Sequence, residues 1–194
     1  MVSFIRLLLN RVIVITFPVS VAANWQLGTS INCLSSNEQD WLLEPNSLTA
    51  KLKQHCSEFK VRVLNENTFS LSPEQQQLLA CAEAVGINRE VLLLCDGKPM
   101  VYAQSWLPVT QDMQQQQLLA LGERPLGDVI FQHPDLKRTE IEVAQFDCQH
   151  PVQQLVSHYS EVIKPLWGRR SVFSLARSRF LVAEIFLPEA YLYL

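Results

Sequence analysis

The chain has 194 residues, 48% of them apolar and 18% charged, and carries a formal net charge of −3. That length suits one domain, with or without a short extension, and the apolar fraction argues against global disorder. The acidic balance argues against a nucleic-acid binder, which would show a strongly basic face, but leaves room for anionic small molecules met by individual arginines.

Residues 1–23 are apolar, carry Arg6 and Arg11, and end in Ser20-Val21-Ala22-Ala23. Positive flank, apolar stretch and small residues are the ingredients of a secretory signal. However, Asn10 and Arg11 interrupt the run and Pro18 follows, so no uninterrupted stretch is long enough for a membrane span. A poor signal peptide and a membrane-surface segment are two readings. The reading preferred here is an extension outside the functional domain, which then occupies residues 24–194.

Asn37–Leu43 reads as a short helix stopped before Pro45, and Ser47 as the cap of a second helix from Leu48 to about Cys56. Phe59–Leu64 alternates as a half-exposed strand. Ser72-Pro73 opens another helix, expected to run toward Val85-Gly86. Arg89–Cys95 and Met100–Val109 flank Asp96-Gly97, a type I′ hairpin signal. A glutamine-rich helix is expected over Gln111–Leu121, stopped by Gly122. A short apolar segment follows Pro125-Leu126-Gly127, and Arg138–Phe146 reads as one strand. Arg169–Leu175 and Phe180–Leu187 form a second hairpin. The sum is α+β: a single domain with a mainly antiparallel β-sheet of about six strands flanked by helices.

Nucleotide-binding glycine loops, HExxH and the GxSxG elbow are all missing from the sequence. The histidines His55, His133, His150 and His158 are not spaced as a metal cluster, and the five cysteines form no CxxC pair. Scattered, odd-numbered cysteines read as reduced thiols of a cytoplasmic protein. Neither a metal nor a cofactor is expected.

Glu184 stands out. In Phe180–Pro188 it shares a strand face with Phe180, Val182 and Phe186. A carboxylate among such neighbours needs a cation, donors or a ligand, since unpartnered polar burial costs roughly 2–7 kcal/mol. Arg89, at the edge of Val91-Leu92-Leu93-Leu94, is a candidate cation. The plainer reading is a structural Arg89–Glu184 pair; the sharper one is two ends of a small pocket with polar tips. Arg169 and Arg170, being adjacent on a strand, point to opposite faces, so at most one reaches such a pocket.

Several segments together resemble one family. They are Asp40-Trp41-Leu42-Leu43 with Asn46-Ser47-Leu48-Thr49, Arg89–Pro99 with Leu107-Pro108-Val109, Leu121-Gly122 with Pro125-Leu126-Gly127, Trp167–Ser171, and Ala183–Pro188. Their order and content are similar to chorismate pyruvate-lyase, over roughly residues 37–190. The resemblance implies an enzyme that eliminates pyruvate from chorismate to give 4-hydroxybenzoate for ubiquinone. It implies no cofactor, no nucleic-acid partner, a cytoplasmic monomer, and a pocket closed by helical flaps near Leu48 and Leu126 with slow product release. Carried over by position, the ligand is held by Arg89, Glu184, Leu126 and Leu48, with Arg89 and Glu184 as the catalytic pair. Leu48 stands where the family carries methionine, a change that keeps volume and apolarity. Arg169 or Arg170 would be available to the second carboxylate of chorismate. The alternative is a domain that binds or senses a small molecule without turning it over, as in the effector domains of some bacterial repressors.

Overall fold

A computed structural model describes residues 15–194, so residues 1–14 of the expected extension lie outside the described residues. In chain order the elements are β1 (Gln26–Leu27), α1 (Ser36–Leu42), α2 (Leu48–Gln54), β2 (Phe59–Ser70), α3 (Pro73–Leu79), β3 (Val85–Cys95), β4 (Lys98–Pro108), α4 (Gln111–Gln115), α5 (Leu126–Ile130), β5 (Lys137–Arg138), β6 (Glu142–Phe146), α6 (Val152–Val156), β7 (Leu166–Leu175) and β8 (Ser178–Phe186). All pairings are antiparallel, in the order β1-β6-β7-β8-β4-β3-β2, with β5 added on β7. The sheet thus has eight strands among the described residues, not about six. The two extra strands, β1 and β5, have two residues each, too few to show any alternation in sequence.

Local chemistry sets most boundaries. Ser35 and Glu38 form a capping box at α1, Ser47 Oγ accepts from the Ala50 N–H at α2, and Ser72 with Gln75 boxes α3. Asp96 and Gly97 both have positive φ, 49° and 79°, as a type I′ turn between β3 and β4 requires. Two helices stop sooner than expected. Ala80 turns left-handed (φ 46°) and ends α3, which releases Val85 and Gly86 to pair in β3. Gln117 does the same (φ 56°) after α4, letting Leu118 turn into the core beside Met113. The expected strand Arg138–Phe146 is likewise broken between β5 and β6, where the Thr139 N–H is taken by the Val172 carbonyl.

The sheet has two differently furnished faces. The back face carries one continuous core that includes Leu92, Tyr102, Phe146, Leu155, Leu181 and Ile185. The front face carries two. One gathers Trp41, Leu48, Leu52, Leu93, Val101 and Phe186 under α1 and α2; the other gathers Leu107, Met113, Leu118, Ile130, Phe173 and Phe180 under α4 and α5.

The stretch 15–23 lies against the back face. Val19 and Val21 are buried in its core, with Ile15, Phe17 and Ala23 packed around them. The Val19 N–H donates to Glu90 Oε1 (2.7 Å) and the Val19 carbonyl accepts from Gln104 Nε2 (2.9 Å). Glu90 is fully buried and also accepts from Tyr102 Oη, Asn65 and Asn88. In packing terms the stretch is part of the domain. Among the described residues no helix is long and apolar enough to cross a membrane.

Candidate active site

Between the two front-face cores, side chains from two adjacent cross-strand rows replace the apolar filling. One row runs Arg89–Ser105–Val182–Ser171 across β3, β4, β8 and β7, and the next runs Val91–Ala103–Glu184–Arg169. Because side chains of alternate residues share a face, all eight belong to one surface of the sheet. Ala103, Ser105 and Val182 are small enough to leave a floor, and Arg89 and Glu184 stand about 12 Å apart by strand spacing and rise.

A cavity with about 580 Å³ of empty space, part of it open to solvent, lies over this floor. That is within the usual size of a small-molecule site, roughly 300–1,000 Å³. Its roof is made of the start of α2 (the cap Ser47, then Leu48 and Thr49) and of α5 (Leu126 and Gly127 at its start, Ile130 at its end). The two helix starts abut so closely that a Cβ on Gly127 would stand 2.9 Å from Ser47 Oγ and 3.0 Å from Thr49 Oγ1. Lys53 of α2 and Asp128 of α5 join them outside with an ion pair at 2.5 Å. Arg89, Glu184, Leu48 and Leu126, the four residues singled out from sequence, all line this one cavity.

The expected direct pairing of Arg89 with Glu184 does not occur. Arg89 is ion-paired with Glu66 and donates to the carbonyls of Gly122 (2.7 Å) and Arg124 (3.3 Å). Two strands away, Glu184 Oε2 accepts from Arg169 Nε at 2.6 Å, directly across the β7–β8 ladder. Arg169, only 1% exposed, also donates from Nη1 to the carbonyls of Trp41, Leu42 and Glu44, tying the end of α1 to the sheet. Arg170 takes the opposite face, as strand alternation dictates, where it pairs with Glu142 and covers Trp25.

Sequence reading missed Arg138. It projects from β5 into the same cavity, its guanidinium 5.1 Å from the Phe173 ring centroid. Nε donates to Ser171 Oγ (3.0 Å), and Nη1 to the carbonyls of Glu44 and Pro45. Burial pushes this guanidinium down to about 10, and the neighbouring Arg169 charge adds to the effect. A two-residue strand offers no periodicity to find it by. The one signal is an arginine opening the segment Arg138–Phe146, read as a strand.

The fold matches the effector domain of PhnF from Mycobacterium smegmatis with a TM-score of 0.54, covering 74% of this chain and 90% of that one. At 12% identity this likeness concerns the fold alone, a scaffold shared with ligand-binding domains of transcription regulators. The family model described as chorismate lyase matches residues 19–193. A relative from Pseudoalteromonas translucida, named "Probable chorismate pyruvate-lyase", is 58% identical over 92% of this chain and 99% of its own length. Another of the same name, from Psychromonas ingrahamii, is 41% identical over 91% of this chain and 96% of its own. The chain belongs to the chorismate lyase family.

Proposed function

We propose that this chain is a chorismate pyruvate-lyase acting as a cytoplasmic monomer, and that its product serves ubiquinone synthesis. Chorismate carries a ring carboxylate at C1, an enolpyruvyl ether at C3 and a hydroxyl at C4. Breaking the C3–O bond and removing the C4 hydrogen makes the ring aromatic. The proton ends on the enolpyruvyl methylene, which leaves as pyruvate. Aromatisation supplies the driving force, so the protein's task is to bind a dianion, align its ether and exclude water.

The observation that carries the reading is a roofed cavity with a guanidinium at one end and a carboxylate at the other, over a floor of small side chains. Arg89 receives the ring carboxylate, for which a planar guanidinium is suited. The N–H groups of Leu48 and Leu126, first residues of α2 and α5 and so without helical acceptors, add donors. Glu184, with Oε2 committed to Arg169, turns its remaining oxygen to the C4 hydroxyl and orients it.

The test is incubation of the full chain with chorismate, without metal or added cofactor, following products by chromatography. Stoichiometric 4-hydroxybenzoate and pyruvate are expected, with loss of at least 100-fold in kcat/KM in Arg89→Met. A folded protein that binds 4-hydroxybenzoate yet turns over no chorismate would overturn the reading in favour of a sensor on the same fold.

A further inference from the structure

We propose that Arg138 is the substrate-binding residue for the second carboxylate of the substrate, the one on the enolpyruvyl side chain, and so sets the preference for the dianionic substrate over the monoanionic product. This rests on the lyase reading above and deepens it.

Of the three arginines that line the cavity, Arg89 is ion-paired with Glu66 and Arg169 with Glu184. Arg138 makes no ion pair with any described residue. Its three hydrogen bonds go to a hydroxyl and two carbonyls, all through Nε and Nη1. Nη2 has no hydrogen-bond partner among the described residues, while the side chain lines the cavity. The Glu184 and Glu44 charges reach this partly buried guanidinium only from a distance, without a direct ion pair, and a carboxylate on a bound ligand would supply one.

Position gives the choice of carboxylate. Arg138 sits opposite Phe173 on β7 and bonds Ser171, the far end of the Arg89 row, but its Nη1 donates to the same Glu44 carbonyl that accepts from Arg169 Nη1, the partner of Glu184. It therefore belongs to the Glu184 end of the cavity, away from Arg89. If Glu184 holds the C4 hydroxyl, the ether on the neighbouring C3 brings its carboxylate to that same end. Of the two sequence candidates for this task, Arg169 is already spent on Glu184 and the end of α1, and Arg170 lies on the opposite face. The Phe173 ring under the guanidinium and the Ser171 bond fix the plane of the fork, which favours bidentate contact.

The test compares Arg138→Gln and Arg138→Lys with the unaltered full chain, measuring chorismate kinetics, 4-hydroxybenzoate affinity by calorimetry, and thermal unfolding. In Arg138→Gln, kcat/KM for chorismate should fall about 100-fold while the product Kd moves less than threefold. Arg138→Lys, which keeps the charge but not the fork, should recover part of the loss. Equal weakening of substrate and product would place Arg138 at the ring carboxylate or in the scaffold and overturn the proposal. So would unchanged chorismate kinetics in a folded Arg138→Gln. If Arg138→Gln fails to unfold cooperatively, Arg138→Lys decides alone: chorismate weakened with product affinity kept supports the proposal, and both changed together overturns it. Absence of turnover in the unaltered chain is a different result, and refutes the lyase reading itself.

Discussion

The side chains of the cavity differ sharply in how much of their position the sequence reveals. Glu184 announces itself because a carboxylate in an alternating apolar strand is anomalous, and Arg89 because it stands at the edge of an unbroken apolar run. Their partners are invisible at that level: Glu66 sits across the β2–β3 ladder, and Arg169 becomes the neighbour of Glu184 only through the β7–β8 register. If Glu184 orients the substrate through one oxygen, Glu184→Gln should keep the cavity's shape and lose no more than about tenfold in kcat. A loss of three or more orders of magnitude at unchanged KM would instead make it a general base. The floor offers a steric check. Ser105 is buried between the Arg89 and Val182 positions, and Ser105→Leu would occupy the space of the ring. Overpacking should cost about 1–3 kcal/mol of stability, but chorismate turnover should fall far more steeply than the unfolding midpoint. Full activity in that variant would mean the substrate does not lie on this floor.

At the scale of elements, the starts of α1 to α4 and the hairpin turns are readable, whereas α5, α6 and the ends of α3 and α4 are not. Capping serines and Asp-Gly are local chemistry. By contrast, the left-handed residues Ala80 and Gln117 have no such sequence signal, and the strands and cores on either side impose them. Two element-scale predictions follow from packing. The first concerns the roof: the Lys53–Asp128 pair, exposed and therefore worth about 0–1 kcal/mol, is the outer tie between α2 and α5. Asp128→Asn should speed product release up to about fivefold, seen as a narrower gap between single-turnover and steady-state rates. Equal rates in the unaltered chain would remove slow release from the account altogether. The second concerns residues 15–23. Starting the chain at Asn24 removes Val19 and Val21 from the back-face core and one donor from the buried Glu90. A loss of several kcal/mol is expected, roughly a 10 °C fall in the unfolding midpoint for a chain of this size. A chain begun at Ile15 keeps those contacts and should not show that loss.

For the molecule as a whole, the alkaline limb of stability is built in. Burial, with Cys56 beside it, pushes the Cys95 thiol up from its ordinary 9.0 to about 12. Burial, with the charge of Glu90, pushes the Tyr102 phenol up as well. Both groups keep their protons in the native state at pH values where the unfolded chain has released them. The native state then binds more protons than the unfolded one, so stability falls as pH rises through about 9 to 12. Thermal unfolding across that range should show the decline, and Cys95→Ala should make it shallower even though it lowers stability near neutrality. An unchanged slope would mean that Cys95 does not contribute.

The front face has another consequence. Its two apolar cores are divided by a polar belt that forms a seam, and a molecule lodged there touches the α2 side and the α5 side at once. Such a guest acts as mortar. At a hundredfold excess over its Kd it raises stability by about 2.7 kcal/mol without altering a single covalent bond, so product lingering in the site would make the resting enzyme sturdier than the empty one.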